Sequence, residues 1–378
     1  MRVVIDTGAY RRNLAVLRAR LSPAQLMAVV KDDAYGHGAI QMARVARECG
    51  VSNFGVLDIT TGISLRNDGV LGDGVAFAWL FDANDDFEAA LEHHIDLGVS
   101  NVHVLDAIAA AAAAKSASSS SPAGSSRRTA RVHLKIDSGL HRNGAAPHEW
   151  TDLVSRAKHW QDQGSIDVVG VWTHIGEASD ADDNASRDVF EAAITQAHDA
   201  GLRPTLRHLA ASAASFERDD FRYDLARVGG FTYGIGPGSG IGPADLGLEA
   251  VMSAHASVLR VDKSAGSSVA VLDAGYLDGI PAWSLDPEDG ETGSLPRTGC
   301  DVLIAGVRCP VIAVGADTMT VALGDTASAV HAGDEAVIFG SHLRGEPVLQ
   351  EWADALGTVG EEIVVRVGSR AEREYRDS

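Results

Sequence analysis

The chain has 378 residues, a length that suits two domains or one barrel with an added domain. Hydrophobic residues make up 45% and charged residues 22%, a composition that excludes a wholly disordered protein. The net charge of -20 repels phosphate backbones and anionic membrane surfaces, so we expect neither a nucleic-acid nor a membrane partner. The chain has three cysteines, no CxxC pair and no apolar run of about 18 residues, which indicates a cytoplasmic protein.

Short apolar runs alternate with helix-like segments from residue 26 to about residue 230, a pattern typical of parallel sheets with helical crossovers. The strand candidates are LMAVVK (26–31), NFGVLD (53–58), VAFAWL (75–80), a weak run at 96–99, RVHLKID (131–137), IDVVGVWTH (166–174), TLRHLA (205–210) and a run near 225–230. Eight strands with intervening helices predict a (β/α)8 barrel.

The pattern changes after about residue 250 to β runs separated by turn residues, which predicts a mostly β C-terminal domain. These runs are HASVLRVD, SSVAVLDAGYL, DVLIAGVRCPVIAV, MTVALGD, EAVIFG and EEIVVRVG. We therefore expect a barrel over residues 1–245 and a β domain over residues 246–378, with residues 1–8 available to pair with the β domain. The stretch 107–128 is rich in alanine and then serine, and predicts a helix that runs into a surface loop without chemistry.

Lys31 stands at the end of the first long apolar run, in the segment VVKDDAYGHGA. Active sites of barrel enzymes lie at the carboxyl ends of the strands. Burial lowers the pKa of an amine, which suits a lysine to Schiff-base chemistry. A lysine that only reaches out to the rim of the barrel fits the same pattern, and the run alone does not decide between the two.

The segment VVKDDAYGHG resembles the cofactor-lysine segment of the alanine racemases, enzymes that use pyridoxal phosphate (PLP) and consist of an α/β barrel and a β-rich C-terminal domain. Further matches follow in the family's order and cover nearly the whole chain. They are HLKIDSGLHRNG (133–144), WTHIGEASDADD (172–183), RHLAASAA (207–214), DLARVGGFTYG (224–234), AHASVLRV (254–261), DAGYLDGIP (273–281) and DVLIAGVRCPVIAVGAD (301–317). The resemblance implies a PLP enzyme that acts on an amino acid.

The resemblance assigns a cofactor set to the barrel. Lys31 would form a Schiff base with PLP, and the phosphate would be held by Tyr35, Ser212 and the backbone of Gly229 and Gly230. Small residues and backbone amides are common anion ligands, although glycines at this position also fit a plain turn.

Two further matches concern the cofactor ring. Arg227 would face the pyridine nitrogen, and because a guanidinium cannot accept a proton, it leaves that nitrogen unprotonated and the ring a weaker electron sink. His174 would stack on the ring and bind the arginine. Taken from the residues alone, a surface arginine fits the first position equally well, and a buried core histidine fits the second position better.

The substrate side is assigned by the same resemblance. Lys135 and Arg142 match a pair in which the lysine, often carbamylated in the family, positions the arginine near the substrate carboxylate. Tyr276 and Asp317 match positions that reach the active site of a partner subunit, so a homodimer with shared sites is implied. The candidate catalytic residues are Lys31, Arg142, His174 and Tyr276.

Three carboxylates, Asp180, Asp182 and Asp183, are the sequence's best candidates for metal ligands. No HExxH or CxxC pattern accompanies them, and clusters of this kind are usually solvated. We therefore expect no metal site.

The chain departs from the family's pattern on the substrate face. The family lends a second catalytic tyrosine from a segment between two strands of the C-terminal domain, but HASVLRVDKSAGSSVAVLDAGYLDG joins those strands directly and has no tyrosine before Tyr276. Ala316 stands where a methionine is expected, and Ser369 stands where a phosphate-binding tyrosine is expected. These changes predict a divergent family member with a substrate bulkier than alanine.

The missing tyrosine leaves three functions open. The first is racemisation, with Tyr276, His141 or a water as the second proton donor. The second is a PLP reaction that needs one face only, such as aldol cleavage, transaldol transfer or hydroxymethyl transfer. The third is a PLP-carrying protein without turnover.

Overall fold

A computed structural model describes residues 1–118, 129–209, 212–238, 240–264, 267–281, 283–284, 300–368 and 370–378. These residues form two compact units. The barrel unit comprises Leu17–Lys31 and Ala39–Gly229, and the β unit comprises Met1–Val16, Asp32–Gly38 and Gly230–Ser378. The chain therefore crosses between units several times, whereas sequence patterning suggested one boundary near residue 245.

The barrel unit contains one eight-stranded parallel sheet, which confirms the predicted fold class and all eight predicted strands. The strands are Gln25–Val29, Asn53–Leu57, Val75–Ala78, Ile95–Val99, Ala130–Lys135, Ile166–Trp172, Leu206–His208 and Leu225–Val228. The first seven strands pair in chain order, each with the next, and the eighth pairs with the first. The amide of Asp224 donates to the carbonyl of Arg207 at 3.2 Å, so the sheet nearly closes between its two edge strands.

Helices connect the strands of the barrel and cover the outer face of the sheet, as the continuous apolar strands require. They are Ala39–Glu48, Ile59–Asn67, Phe87–Glu92, Val102–Ser118, Trp150–Asp162, Asp180–Asp199 and Ser212–Glu217. The helix Thr7–Leu21 is shared by the two units. The predicted serine-rich loop lies outside the described residues from position 119 to position 128. Within the described ranges, no helix is both long enough and apolar enough to cross a membrane.

The β unit contains a nine-stranded sheet. Its strands are Arg2–Asp6, Met252–Ser264, Ser267–Leu272, Trp283–Ser284, Asp301–Ile304, Val307–Val314, Met319–Ala322, Glu335–Phe339 and Glu372–Arg376. Ser267–Leu272 pairs with both Met252–Ser264 and Met319–Ala322, so the sheet closes on itself as a β-barrel. Arg2–Asp6 pairs antiparallel with Met252–Ser264, which ties the start of the chain to this sheet.

The prediction of a β run at EEIVVRVG is wrong, because the structure has the α-helix Gly360–Arg366 there. The buried positions are Gly360, Ile363, Val364 and Val367, while Val365 is 40% exposed. This spacing follows the helical period, and burial of one helix face outweighs the β preference of the valines. The neighbouring helix Leu349–Leu356 was not anticipated either.

Candidate active site

Lys31 lies two residues beyond the strand Gln25–Val29 and begins an unusual turn. The four residues after it, Asp32 to Tyr35, all have positive φ angles between 52° and 56°. Side chains other than glycine adopt this left-handed conformation at a cost of roughly 1–2 kcal/mol per residue. Such strain is typical of functional sites, where the surrounding structure holds the backbone in place.

Arg227 lies on the last barrel strand and is 5% exposed. Its Nη1 donates to Nδ1 and to the carbonyl of His208, both at 3.0 Å. Its Nη2 donates to the carbonyl of Thr173 at 2.7 Å and to Nδ1 of His174 at 3.2 Å. Burial and the charge of Arg142 lower the pKa of Arg227 to about 9, which leaves the guanidinium charged at neutral pH.

His174 follows the strand Ile166–Trp172 by two residues and accepts its hydrogen bond from Arg227. Burial lowers the pKa of His174 well below its ordinary value, and the positive charges of Arg227, Arg142, Lys135 and Lys31 lower it further. The imidazole is therefore neutral at physiological pH. Since its Nδ1 accepts from the guanidinium, its proton is on Nε2.

Lys135 is the last residue of its strand and is 3% exposed. Its Nζ donates to the side-chain carbonyl of Asn143 and lies 4.2 Å from the ring centroid of Trp172. Burial, together with the charges of Arg227 and Arg142, lowers the pKa of Lys135 to about 7. Arg142 itself is exposed, in the loop between Lys135 and Asn143. This end of the barrel thus combines the exposed cation of Arg142 with a buried amine whose pKa lies near neutrality.

His141, the alternative proton donor, lies in the same loop and faces outward. Its side chain is 83% exposed, and its Nδ1 is 3.1 Å from the carboxylate of Asp137. This contact holds the imidazole against its own loop.

The expected phosphate ligands are divided between the two units. In the barrel unit, Ser212 begins the helix Ser212–Glu217, and its Oγ accepts from the amide of Gly229 at 3.2 Å. In the β unit, Tyr35 is buried, and a Cβ at Gly230 would lie 2.5 Å from the Glu361 carboxylate. Burial and the charge of Glu361 raise the pKa of Tyr35, so its hydroxyl keeps its proton and remains a donor.

Tyr276, Ala316 and Asp317 come together at one edge of the β unit. The amide of Tyr276 donates to the carbonyl of Gly315 at 2.9 Å, within a turn that leaves the Tyr276 side chain 49% exposed. Asp317 is exposed and accepts from Arg370 at 2.8 Å. Ser369 lies outside the described residues.

The strands that flank the expected second tyrosine form a direct hairpin. Met252–Ser264 and Ser267–Leu272 pair antiparallel, and their last pair is Ser264 with Ser267. Only two residues separate this pair, so the described strands leave no room for an inserted segment. The sequence from Met252 to Gly275 contains no tyrosine.

The three aspartates considered as metal ligands lie at the start of the helix Asp180–Asp199. The amide of Asp182 donates to Ser179 Oγ at 3.2 Å, and Asp183 accepts from the amide of Glu177 at 3.2 Å. They therefore serve the helix start and the adjacent loop. Among the described residues, no group of three or more His, Cys, Asp or Glu side chains is arranged to hold a metal ion.

Sequence reasoning missed the polar residues inside the barrel. Asp96, His133 and His208 are each at most 2% exposed. The available signal was a polar residue within an otherwise apolar strand, because buried polar side chains require partners. Asn143, which binds Lys135, gave no signal beyond its place in the matched segment HLKIDSGLHRNG.

Comparison with known proteins gives consistent matches over nearly the full chain. The model of the alanine racemase N-terminal domain matches residues 5–237, and that of the C-terminal domain matches residues 259–375. The alanine racemase of Salinispora arenicola is 36% identical over 393 aligned positions, covering 99% of this chain and 97% of that protein. That of Frankia casuarinae is 38% identical, covering 98% and 95%. The crystal structure of alanine racemase from D-cycloserine-producing Streptomyces lavendulae superposes with a TM-score of 0.88 at 35% identity, covering 100% of this chain and 97% of that one.

Proposed function

This chain belongs to the alanine racemase family, and from that premise we propose that it binds PLP through Lys31 and acts at the α-carbon of an amino acid. The family's use of PLP supports the cofactor, and the full-length similarity supports an amino-acid substrate. A cytoplasmic location and a substrate bulkier than alanine stay predictions.

The observation that carries the proposal is the group of cations at His174. Lys31, Lys135, Arg142 and Arg227 all lower the pKa of this imidazole, in a protein whose net charge is -20. A concentration of positive charge against the overall balance favours an anionic ligand. A phosphorylated cofactor and a substrate carboxylate both meet that requirement.

The donor set of the barrel unit also fits PLP. Arg227 has hydrogen-bond donors only, so it suits an unprotonated pyridine nitrogen. Ser212 and the amide of Gly229 are the kind of small polar groups that bind phosphate. When bound, PLP withdraws electrons from the substrate's α-carbon and so makes the α-proton more acidic.

The residues of the barrel have separate tasks in this proposal. The amine of Lys31 takes the α-proton on one face of the substrate and returns it. Arg142 binds the substrate carboxylate, with Lys135 beside it. The neutral imidazole of His174 cannot compete with Lys31 for that proton, because its Nδ1 is occupied by Arg227. Together, these barrel residues would provide the groups that act on one face of the substrate.

The opposite face favours a second candidate function. The hairpin between Met252–Ser264 and Ser267–Leu272 leaves no segment that would carry a second tyrosine. A reaction that uses one face only, such as aldol cleavage, transaldol transfer or hydroxymethyl transfer, needs no such residue. Racemisation requires a substitute donor, for which Tyr276 is the candidate on the β unit.

A homodimer is part of the proposal. Tyr276 and Asp317 are exposed on one edge of the β unit, where a partner subunit's site has access to them. An isologous pair would exchange these residues in both directions. The active unit would then contain two sites, each completed by the other chain.

The test is to locate the cofactor on the chain. The protein has five lysines, Lys31, Lys115, Lys135, Lys158 and Lys263, so borohydride reduction of the PLP-loaded protein and peptide mapping will assign the label. We expect the label on Lys31 and none on Lys31→Ala. Lys158→Ala is the matched control, since Lys158 pairs with Asp162 on the surface. A label on any other lysine in the wild type would overturn the proposal.

A further inference from the structure

A line of four buried polar side chains crosses the barrel interior, and three of them, His208, His133 and Asp96, have no task in the function proposed above. Nη1 of Arg227 is 3.0 Å from Nδ1 of His208, and Nε2 of His208 is 2.9 Å from Nδ1 of His133. Nε2 of His133 is 3.3 Å from the carboxylate of Asp96. All four residues are at most 5% exposed, so these contacts are not shared with bulk water.

The chemistry of Arg227 fixes the direction of every bond in this line. A guanidinium only donates, so Nδ1 of His208 must accept and the proton of His208 must be on Nε2. That proton points at Nδ1 of His133, which must therefore accept and carry its own proton on Nε2. The last proton points at Asp96, whose carboxylate only accepts. The opposite set of tautomers would place two donors against each other next to Arg227.

The packing around the two imidazoles holds them in this arrangement. His133 stands in register with Gly170 on the neighbouring strand, and a Cβ at Gly170 would overlap Nδ1 of His133. The glycine therefore lets His133 reach across a strand to His208. The indole of Trp172 stacks on His208 at 5.7 Å with an interplanar angle of 5°, and Phe77 packs against both imidazoles.

The charges at the two ends of the line agree with a neutral His208 and an ionised Asp96. Burial and the charge of Arg227 lower the pKa of His208 well below its ordinary value. Burial alone would raise the pKa of Asp96, but hydrogen bonds from His133 and Arg131 lower it, so Asp96 is ionised. Arg131 donates to Asp96 at 2.8 Å from a side chain that is 45% exposed.

We propose that Asp96 and His133 are positioning residues that act through His208 to orient Arg227 and to hold both imidazoles in the Nε2–H form. The inference rests on the proposed function only where it assigns Arg227 to the cofactor. Each bond in the line polarises the next, so the negative charge of Asp96 strengthens the acceptor that Arg227 meets. The guanidinium of Arg227 is thereby fixed in the direction in which it meets a ligand.

The direct test is nitrogen NMR of the cofactor-free protein labelled with ¹⁵N-histidine, with His133→Gln and His208→Gln used for assignment. Both rings should show the Nε2–H tautomer, and His208 should not titrate between about pH 5.5 and 8.5, a range that spans the ordinary histidine pKa. Asp96→Asn, which keeps an acceptor oxygen but loses the charge, should shift the ¹⁵N signals of His208 as well as those of His133. A titrating His208, an Nδ1–H tautomer in either ring, or unchanged His208 signals in Asp96→Asn would each overturn the inference.

Asp106→Asn is the matched control. Asp106 also accepts from a ring N–H, that of Trp160 at 2.6 Å, and also pairs with an arginine, Arg156, at 3.7 Å. It belongs to the helix Val102–Ser118 instead of a strand of the sheet. Asp106→Asn should leave the His208 signals unchanged. A shift as large as that in Asp96→Asn would mean that the His208 signals respond to any loss of packing in the barrel, and not to the charge of Asp96.

The second readout is the affinity for PLP, measured by absorbance titration. Asp96→Ala should bind PLP about 10-fold more weakly, the lower end of the loss seen when the hydrogen-bonded partner behind a ligand is removed. Asp96→Asn should lose less, and it carries the test if Asp96→Ala does not fold. Equal affinity in both Asp96 variants and the wild type would contradict the positioning role. Failure of the wild type to bind PLP would contradict the proposed function and leave the NMR result standing.

Discussion

The barrel unit and the β unit hold their candidate site residues in opposite ways. In the barrel, Arg227 and Lys135 are 5% and 3% exposed and have hydrogen-bond partners on three different strands or loops. In the β unit, Tyr276 is 49% exposed and Asp317 binds an exposed arginine. The comparison shows that the residues expected to meet the cofactor are built into the core, whereas those expected on the substrate side lie on a surface that can change without disturbing the fold.

Energetics explains why the two sides differ in this way. A buried charge requires a full set of partners, so a change at one barrel residue leaves its neighbours unsatisfied. A surface turn carries no such requirement, and substitutions there usually have small effects on stability. The departures that we expect from the family's pattern, at Ala316 and between residues 264 and 267, fall in the part of the sequence that belongs to the β unit.

Arg227→Ala should have the largest effect on stability. It removes the donor for His208, Thr173 and His174 in the barrel core. We expect the free energy of unfolding to fall by about 3–5 kcal/mol, the range for breaking a buried charged network. Urea unfolding measures this change, with Arg370→Ala as the control at the exposed Asp317 pair, where no measurable loss is expected. Equal losses in the two variants would remove the distinction between the units.

Lys135 should make stability depend on pH. Its pKa is about 7 in the folded protein and near 10.5 in the unfolded chain, so the unfolded chain binds more protons between these values. Stability should therefore rise with pH across this window, by at most about 1.4 kcal/mol per unit, and the contribution of Lys135 should not change with pH below about pH 7, where its destabilising effect is largest. The measurement compares urea unfolding at pH 7 and pH 9 for wild type and Lys135→Met in CO₂-free buffer. Parallel changes in the two proteins would show that Lys135 is charged throughout.

Tyr276 should affect activity without affecting stability. Tyr276→Phe and Lys31→Ala chains should each be impaired alone, and mixed dimers should contain one intact site if Tyr276 enters the partner's site. Random pairing gives half mixed dimers, so about one quarter of all sites should recover activity. Mixing each variant with itself after the same unfolding and refolding step is the control. A fully active monomer in sedimentation would contradict the shared site.

The sequence predicted the parts of the molecule that depend on local pattern. The eight barrel strands were recognisable because strands buried on both faces are continuous apolar runs, and even the weak run at 96–99 is the strand Ile95–Val99. The segment EEIVVRVG was misread because its valines favour strands, while the side that is buried follows a helical period. A hydrophobic pattern therefore identifies a strand most reliably when both faces of the strand are buried.

The line from Asp96 to Arg227 was not predictable in the same way. His133 meets His208 across an intervening strand because Gly170 stands in register between them. The pairing register is set when the strands assemble in three dimensions, so it cannot be predicted from residues that are neighbours in the sequence. Lys31 was proposed as the cofactor lysine from a contiguous motif, whereas the residues behind Arg227 required the structure.

We propose that the barrel residues act on one face of the substrate, and we expect the family's second tyrosine to be missing from the opposite face. The most direct test is to follow alanine in D₂O with the PLP-loaded protein and to compare exchange of the α-proton with interconversion of the enantiomers. We expect one enantiomer to exchange with retention of configuration and to racemise more slowly by about 10²–10⁴-fold, the typical contribution of a general acid or base. Interconversion of L- and D-alanine as fast as the exchange would show that a second donor is in place, and would contradict the account.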